Sequence, residues 1–377
     1  MNRLPMNRLC LVLFLTLPFA APQAQVVPSG GEGSLYIGSQ RPPVRITTVG
    51  TFQRYSGALA DDADEVEVAA FSTPFTIFAP VARNLALSLR TSYTSVEGND
   101  LAGVSGLTDT QATLSYFRPL GPGSAVVSAS ANLPSGTTEL KPDEAATAFL
   151  VGQNFYGFRL PSLGQGLNAA AGLTYAFPLG EAVVVGLGAA YQVRGAYAPT
   201  VGADDYDPGD ELLLTGGFDY GLGPASSLAL DVTYAIYGAD ASGDLAFESG
   251  NALSVTTKWT GEVGRRRASL LGRFRSKGGT EVAEDPGVRL GQDPVIPTQG
   301  RVLGDVQLVG GGRLGLGVFA QGRFYAASDL FTEKVVFDVG AAPSFRVLPN
   351  ATLLTRFAVT FGDLAGFEAS GGLSWEL

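Results

Sequence analysis

Leu228-Ala229-Leu230-Asp231-Val232-Thr233-Tyr234-Ala235-Ile236-Tyr237 separates its odd and even positions cleanly. The even positions carry Leu, Leu, Val, Tyr and Ile, and the odd ones Ala, Asp, Thr, Ala and Tyr. A period of two is that of a β-strand with two unlike faces. The same dyad returns in Leu353, Thr355, Phe357, Val359 and Phe361 against Leu354, Arg356, Ala358 and Thr360. It closes the chain with Phe367, Ala369, Gly371, Leu373, Trp375 and Leu377 against Glu368, Ser370, Gly372, Ser374 and Glu376. Many such segments of ten or more residues, behind an export signal, read as an all-β transmembrane antiparallel β-barrel.

Residues 1–24 have the form of that signal. Arg3 and Arg8 give the positive end, Leu9 to Phe19 a short apolar run, and Ala20 to Ala24 small residues for cleavage. The run is too short to span a bilayer as a helix, and no helix-length apolar segment follows. Cys10, the one cysteine, lies inside the signal, and histidine is absent. The exported chain therefore has no histidine base, no Ser-His-Asp triad, no Cys/His metal site and no disulfide framework. No catalytic residue, cofactor or metal site is expected. The signal holds two of the 25 basic residues and none of the 35 acids, so the remainder carries 23 − 35 = −12. An acidic exported protein is a poor partner for nucleic acid. A hydrophobic content of 45% argues against disorder despite the 50 glycines.

Residues 44–377 divide into about sixteen strands: 44–55, 65–78, 84–96, 107–118, 124–133, 165–178, 181–195, 210–221, 226–238, 251–263, 265–277, 301–311, 313–327, 333–346, 351–362 and 366–377. An even count keeps both ends on the periplasmic side. Alternate connections are then tight: Pro80–Arg83, Leu120–Gly123, Leu179–Gly180, Gly223–Ala225, Gly264, Gly312 and Val347–Asn350. The others include long segments at 134–164, 196–209, 239–250 and 278–300. Acidic residues gather on this second set, as in Asp61-Asp62-Ala63-Asp64-Glu65, Asp204-Asp205-Tyr206-Asp207 and Glu281 with Glu284 and Asp285. They give a solvated outer surface, or one that bridges divalent cations to lipopolysaccharide or attracts cationic solutes. The Gly- and Pro-rich residues 25–43 are either a periplasmic lead or a short plug.

The polar strand face points inward in such a barrel. That assigns Arg90, Arg194, Asp219, Asp231, Lys258, Arg273, Arg275, Asp305, Arg323, Asp338, Arg356 and Glu368 to the lumen. Either these charges pair across a closed lumen or they line a water-filled one. Sixteen strands make a barrel too wide for side chains alone to fill. On the other face Tyr93, Tyr116, Phe177, Tyr191, Tyr220, Tyr234, Trp259, Phe324 and Trp375 fit interfacial girdles. The connection 134–164 is the third outer loop. Pro142 followed by two acids suits a helix N-terminus. Phe149, Phe155, Tyr156 and Phe158, with Leu150, Val151, Leu160 and Leu163, need burial. They form a constriction in the barrel mouth, line a capture site for an apolar ligand, or pack beneath neighbouring loops.

The run Tyr116–Leu133 leading into Pro134-Ser135-Gly136, then Gly164-Gln165-Gly166-Leu167-Asn168 and Tyr206-Asp207-Pro208-Gly209-Asp210, resembles a known group. This is the FadL-type group of outer-membrane fatty-acid and aromatic-hydrocarbon transporters, which includes the phenol meta-pathway proteins. The resemblance covers roughly residues 110–240 of a barrel-forming chain. It implies a monomeric barrel, typically of about fourteen strands in that group, with an N-terminal plug and a hydrophobic site beneath an outer loop. This chain has sixteen expected strands and lacks the group's N-terminal Asn-Pro-Ala. The expected function is passive passage of small solutes, hydrophobic ones among them, through a Gram-negative outer membrane. The rival is a structural or surface-interaction barrel whose acidic loops bind ions, lipopolysaccharide or a partner. Expected partners are the lipid bilayer and lipopolysaccharide, a small-molecule solute and the outer-membrane barrel assembly machinery.

Overall fold

The computed structural model describes residues 43–58, 65–99, 101–152, 163–203, 205–243, 245–282, 296–310, 312–328 and 331–377. The expected signal and all but the last residue of the 25–43 segment lie outside the described residues. The chain forms a closed antiparallel barrel of sixteen strands. They are β1 (Arg45–Ala58), β2 (Glu65–Ala82), β3 (Leu85–Gly98), β4 (Thr110–Leu120), β5 (Gly123–Leu133), β6 (Asn168–Leu179), β7 (Val183–Arg194) and β8 (Glu211–Gly223). There follow β9 (Ser226–Tyr237), β10 (Ala252–Val263), β11 (Arg266–Lys277), β12 (Gln299–Val309), β13 (Leu314–Tyr325), β14 (Lys334–Leu348), β15 (Ala351–Gly362) and β16 (Ala365–Glu376). Each pairs with its neighbours in sequence, and β1 closes on β16 through pairs running from Arg45↔Glu376 to Ser56↔Ala365. Closure leaves no unpaired sheet edge, the condition for strands to lie in lipid.

One end of the barrel carries tight turns and the strand termini at Arg45 and Glu376; the other carries the long loops. At the turn end Gly180 and Gly264 hold φ of 79° and 68°, a left-handed conformation that a Cβ disfavours. The expected Pro80–Arg83 turn is shorter, because β2 continues to Ala82 across a bulge between Pro80 and Ala82. Prolines inside strands interrupt the ladder where their missing N–H would fall. The β1–β2 register passes from Thr48↔Phe75 to Thr51↔Ser72 over Pro74, and β14–β15 lapses between Ala341↔Phe357 and Ser344↔Leu354 over Pro343.

The exterior is apolar. Leu187, Val193, Leu270, Val302, Val339, Phe357 and Val359 are all exposed there. A continuous belt of this kind exceeds what a protein leaves open to water. Aromatic side chains mark both rims of the belt. Phe324, Phe337 and Phe361 contact one another toward the loop end. Tyr175 stacks on Phe177 toward the turn end, where Tyr220 and Trp375 are also exposed. The apolar belt and closed backbone place the barrel in the outer membrane.

The loop end holds more structure than its sequence suggested. The segments 196–209, 239–250 and 278–300, expected as plain connections, contribute a second sheet. Its order is Glu281–Val282, Leu245–Glu248, Ala239–Ser242 and Tyr206–Asp207. Tyr206 lies between Tyr197, edge-on, and Phe247, stacked, and this ring cluster forms a small core. Phe247 is 1% exposed, and its burial explains why the loops pair. Among the described residues a helix, α1 (Pro142–Gly152), lies in the third loop, as the proline and two acids predict.

Candidate functional site

The cross-strand register fixes which residues share the interior. Gln53, Tyr55, Val68, Asn132, Gln192, Thr360 and Glu368 are buried, and the pairing places them on one face of the sheet. Alternation along each strand puts Arg90, Arg194, Asp219, Asp231, Lys258, Arg273, Arg275, Asp305, Arg323, Asp338, Arg356 and Glu368 on that face as well. Their burial differs along the barrel axis. Arg194, Arg323, Asp338 and Glu368, toward the loop end, are buried, whereas Arg90 and Asp219 are exposed. The interior is therefore packed mainly at its loop end.

Two networks occupy that packed end. In the first, Arg323 donates to Asp338 through Nε (3.0 Å to Oδ2) and Nη2 (2.8 Å to Oδ1). Gln321 Nε2 and Thr360 Oγ1 complete the carboxylate at 2.8 and 2.6 Å. Beside it Gln53 Nε2 donates to Tyr55 Oη and to Glu368 Oε2, and Arg356 Nε donates to Glu368 Oε1 at 3.0 Å. The Arg356 guanidinium lies over Phe319, 3.5 Å from the ring centroid. Buried ion pairs hold only where other hydrogen bonds satisfy the remaining polar atoms, as Gln321, Thr360 and Gln53 do here. Five strands, β1 and β13 to β16, are thereby tied across the seam of closure.

The second network lies beneath the loop sheet. Arg194, Glu211 and Lys277 are buried at neighbouring strand ends, and the Lys277 ammonium stands over Tyr237, 4.3 Å from the centroid. Asp240 of the loop sheet accepts from Gly209 N (2.7 Å) and Ser249 Oγ (2.9 Å). Burial pushes the Asp240 carboxyl above the usual range against those hydrogen bonds, and pushes the Tyr197 and Tyr206 hydroxyls well up.

The third loop is held at both feet and along its middle. Asp109, just before β4, accepts from Gly136 N (2.8 Å), Gln165 N (2.6 Å) and Asn132 Nδ2 (2.7 Å). A Cβ on Gly136 would fall 2.7 Å from both the Asp109 amide and the Gly164 Cα, so the two feet meet only through glycine. At the start of α1, Glu144 reaches back to the Lys141 backbone N–H (3.0 Å) and ammonium (2.8 Å), which holds its carboxyl below the usual range. This is one half of a capping box. Leu140, Ala145, Ala148 and Leu163 then pack on Tyr55, Val68, Ala70 and Val96, the interior face of β1–β3. Phe149 is buried. Phe155, Tyr156 and Phe158 lie outside the described residues. Leu140 also forms a parallel bridge to Thr200, coupling this loop to the next.

At the turn end the interior opens into a cavity of about 670 Å³. Its lining includes Thr260, Ser269, Asp305, Gln307, Gly317 and Ser344. Asp305 is hydrogen-bonded by Ser269.

Several interior residues escaped the sequence reading. Gln53, Glu211, Lys277 and Gln321 all lie near strand ends, where a period of two is cut short by the loop. Arg301 opens the expected strand 301–311; it stands four residues before Asp305 and so shares its face. Among the described residues no group of three or more His, Cys, Asp and Glu is placed to hold a metal ion.

No protein-family model matches the sequence, and no curated protein matches it. Solved structures similar to the chain include three barrels. An outer membrane channel from Pseudomonas putida F1 is 11% identical, with a TM-score of 0.41 over 92% of this chain and 100% of that one. The translocator domain of the autotransporter NalP from Neisseria meningitidis is 7% identical, with a TM-score of 0.36 over 90% of each chain. A triple mutant of the Rhodopseudomonas blastica porin is 10% identical, with a TM-score of 0.34 over 89% of this chain and 100% of that one.

Proposed function

We propose that the chain is a passive outer-membrane channel for small solutes, with loop 134–164 restricting its outer mouth. The observation that carries this reading is the uneven filling of the interior. Helix α1 and its flanks pack on the inner face of β1–β3 at the loop end, while the turn end keeps a polar cavity. With the long loops outward, as is general for such barrels, the constriction faces the environment and the cavity the periplasm. Solute would cross a narrowed, charged mouth and then diffuse freely. Nothing in this mechanism needs an energy source or a reacting group.

A second reading is favoured by the apolar character of the loop contact. Leu140, Ala145, Ala148, Leu163 and buried Phe149 would suit a capture site for a hydrophobic solute, in line with the resemblance to FadL-type transporters. Deleting residues 141–158 separates the cases in a planar bilayer and in solute-uptake assays. A constriction predicts larger single-channel conductance from a barrel that still folds. A capture site predicts loss of hydrophobic uptake with hydrophilic permeation kept or raised. A deletion that alters neither leaves a structural or surface-binding barrel, with the loop as a packed lid.

A further inference from the structure

The register assembles cations that the sequence keeps apart. Arg273 of β11 lies opposite Arg301 of β12, and Arg301 opposite Arg323 of β13. Arg275 and Lys277 follow Arg273 at successive positions of the same face, and Lys258 of β10 stands one rung nearer the turn end, opposite Leu271. Between the pair Glu262↔Arg267 and the loop end, the interior faces of β10 to β13 thus carry six cations and one carboxylate, Asp305. Four more carboxylates border these cations, and of them Glu211 and Asp240 face Lys277 at the loop end. Asp231 lies beyond Thr256 on one side, and Asp338 is engaged by Arg323, Gln321 and Thr360 on the other. In a chain of net charge −10, this one wall is strongly basic.

Like charges on directly opposed strand positions repel. Adjacent strands lie about 5 Å apart, so the side chains of Arg273 and Arg301 enter the lumen from neighbouring points, with Arg275 two residues on along the same face. An anion seated between them relieves the repulsion. Guanidinium forks match the oxygens of carboxylate and phosphate, two hydrogen bonds at a time. Lys258 of β10 and Arg273 of β11 stand eight and nine strands round the barrel from β2, where α1 packs, whereas Arg323 of β13 reaches over Tyr55 beneath the loop, 5.9 Å from the ring centroid.

We propose that this wall is a binding station for small oxyanions, carboxylates or phosphates, and makes the passage anion-selective. The proposal rests on the channel reading for its role in transport, but the binding station can be measured without conduction.

The test uses the purified full barrel in planar bilayers under a potassium chloride gradient, with succinate and inorganic phosphate as probes. The expected reversal potential favours chloride over potassium, and millimolar succinate or phosphate reduces the chloride current. Block by one probe alone assigns the station to carboxylate or to phosphate. In the double variant Arg273→Gln, Arg275→Gln the anion preference falls toward unity, and the half-blocking concentration rises roughly tenfold or more. Arg273→Lys, which keeps the charge but not the fork, retains selectivity and loses part of the block. Heat-modifiable migration checks that each variant folds. Cation preference in the parent protein, or a block unchanged in the double variant, overturns the proposal. Calorimetric titration of succinate and phosphate in detergent separates the two levels of inference. Binding that the double variant loses, in a protein that conducts nothing, keeps the station and removes the channel. Conductance without binding of either probe removes the station alone.

Discussion

The carboxylate of Asp109 takes hydrogen bonds from Gly136 N, Gln165 N and Asn132 Nδ2, and so holds both feet of the loop that carries α1. Hydrogen bonds to a charged group contribute about 1.5–3 kcal/mol each, and two of these act on the loop backbone. Asp109→Ala should therefore free the loop by roughly 3–6 kcal/mol without unfolding the barrel, whose strands do not depend on it. Limited proteolysis is the measurement: the variant should be cut within 134–167 at protease levels that leave the parent intact, while retaining heat-modifiable migration. Equal resistance would mean that the packing of Leu140 and Leu163 holds the loop unaided. None of this was legible in the sequence. Asp109 stands 27 residues from Gly136 and 56 from Gln165 in the chain, and no spacing rule connects them. A charged position inside a long alternating strand, such as Asp231 or Arg356, needs only its own strand to declare a face, whereas Glu211, Lys277 and Arg301 at strand ends have too little alternation around them. Their mutual arrangement was not legible. The meeting of Arg273, Arg301 and Arg323 depends on two strand registers that local sequence leaves open.

Among the elements, β9 gives the sharpest test of face. Leu230 lies between Phe218 and Thr257, and Phe218 is an exposed exterior residue; Thr233 pairs with Thr215 and Ser254 on the interior. An arginine on the lipid face near the midplane costs about 2–4 kcal/mol, and far less in a polar lumen. Leu230→Arg should lower the midpoint of reversible urea unfolding in lipid or detergent, and Thr233→Arg should leave it nearly unchanged. Equal losses would contradict the register. Strands such as β9 were legible because ten or more residues repeat one alternation. The loop sheet was not, for the same reason reversed. Ala239–Ser242 and Leu245–Glu248 are four residues long, too short for a period to stand out. Their pairing is driven by Phe247 and Tyr206, which meet across 41 residues of chain.

At the scale of the whole molecule, sixteen strands and the two unlike ends set an orientation. Asp205 lies in a loop-end connection and Ala225 in a turn-end one, and both are exposed. The sequence holds a single cysteine, Cys10, in the expected signal, so cysteines introduced at these sites are unambiguous reporters. An impermeant thiol reagent applied to whole cells should label Asp205→Cys and spare Ala225→Cys until the envelope is opened. The reverse pattern would turn the barrel over and put the loop end inside.

The junction of β1 with β16 joins Arg45 to Glu376, separated by 331 positions along the chain. Such a contact is among the slowest to find, because the loop it closes is nearly the whole polypeptide. Until the final strand is delivered, both ends of the sheet present unsatisfied N–H and C=O groups, a template for pairing with other chains. A polypeptide truncated anywhere before residue 365 is thus left with an open ribbon and no partner for Arg45–Ala58. Biogenesis acquires a commitment step at the twelve residues of β16. The protein's quality control is written into β16, since only a chain that carries this strand can satisfy Arg45–Ala58.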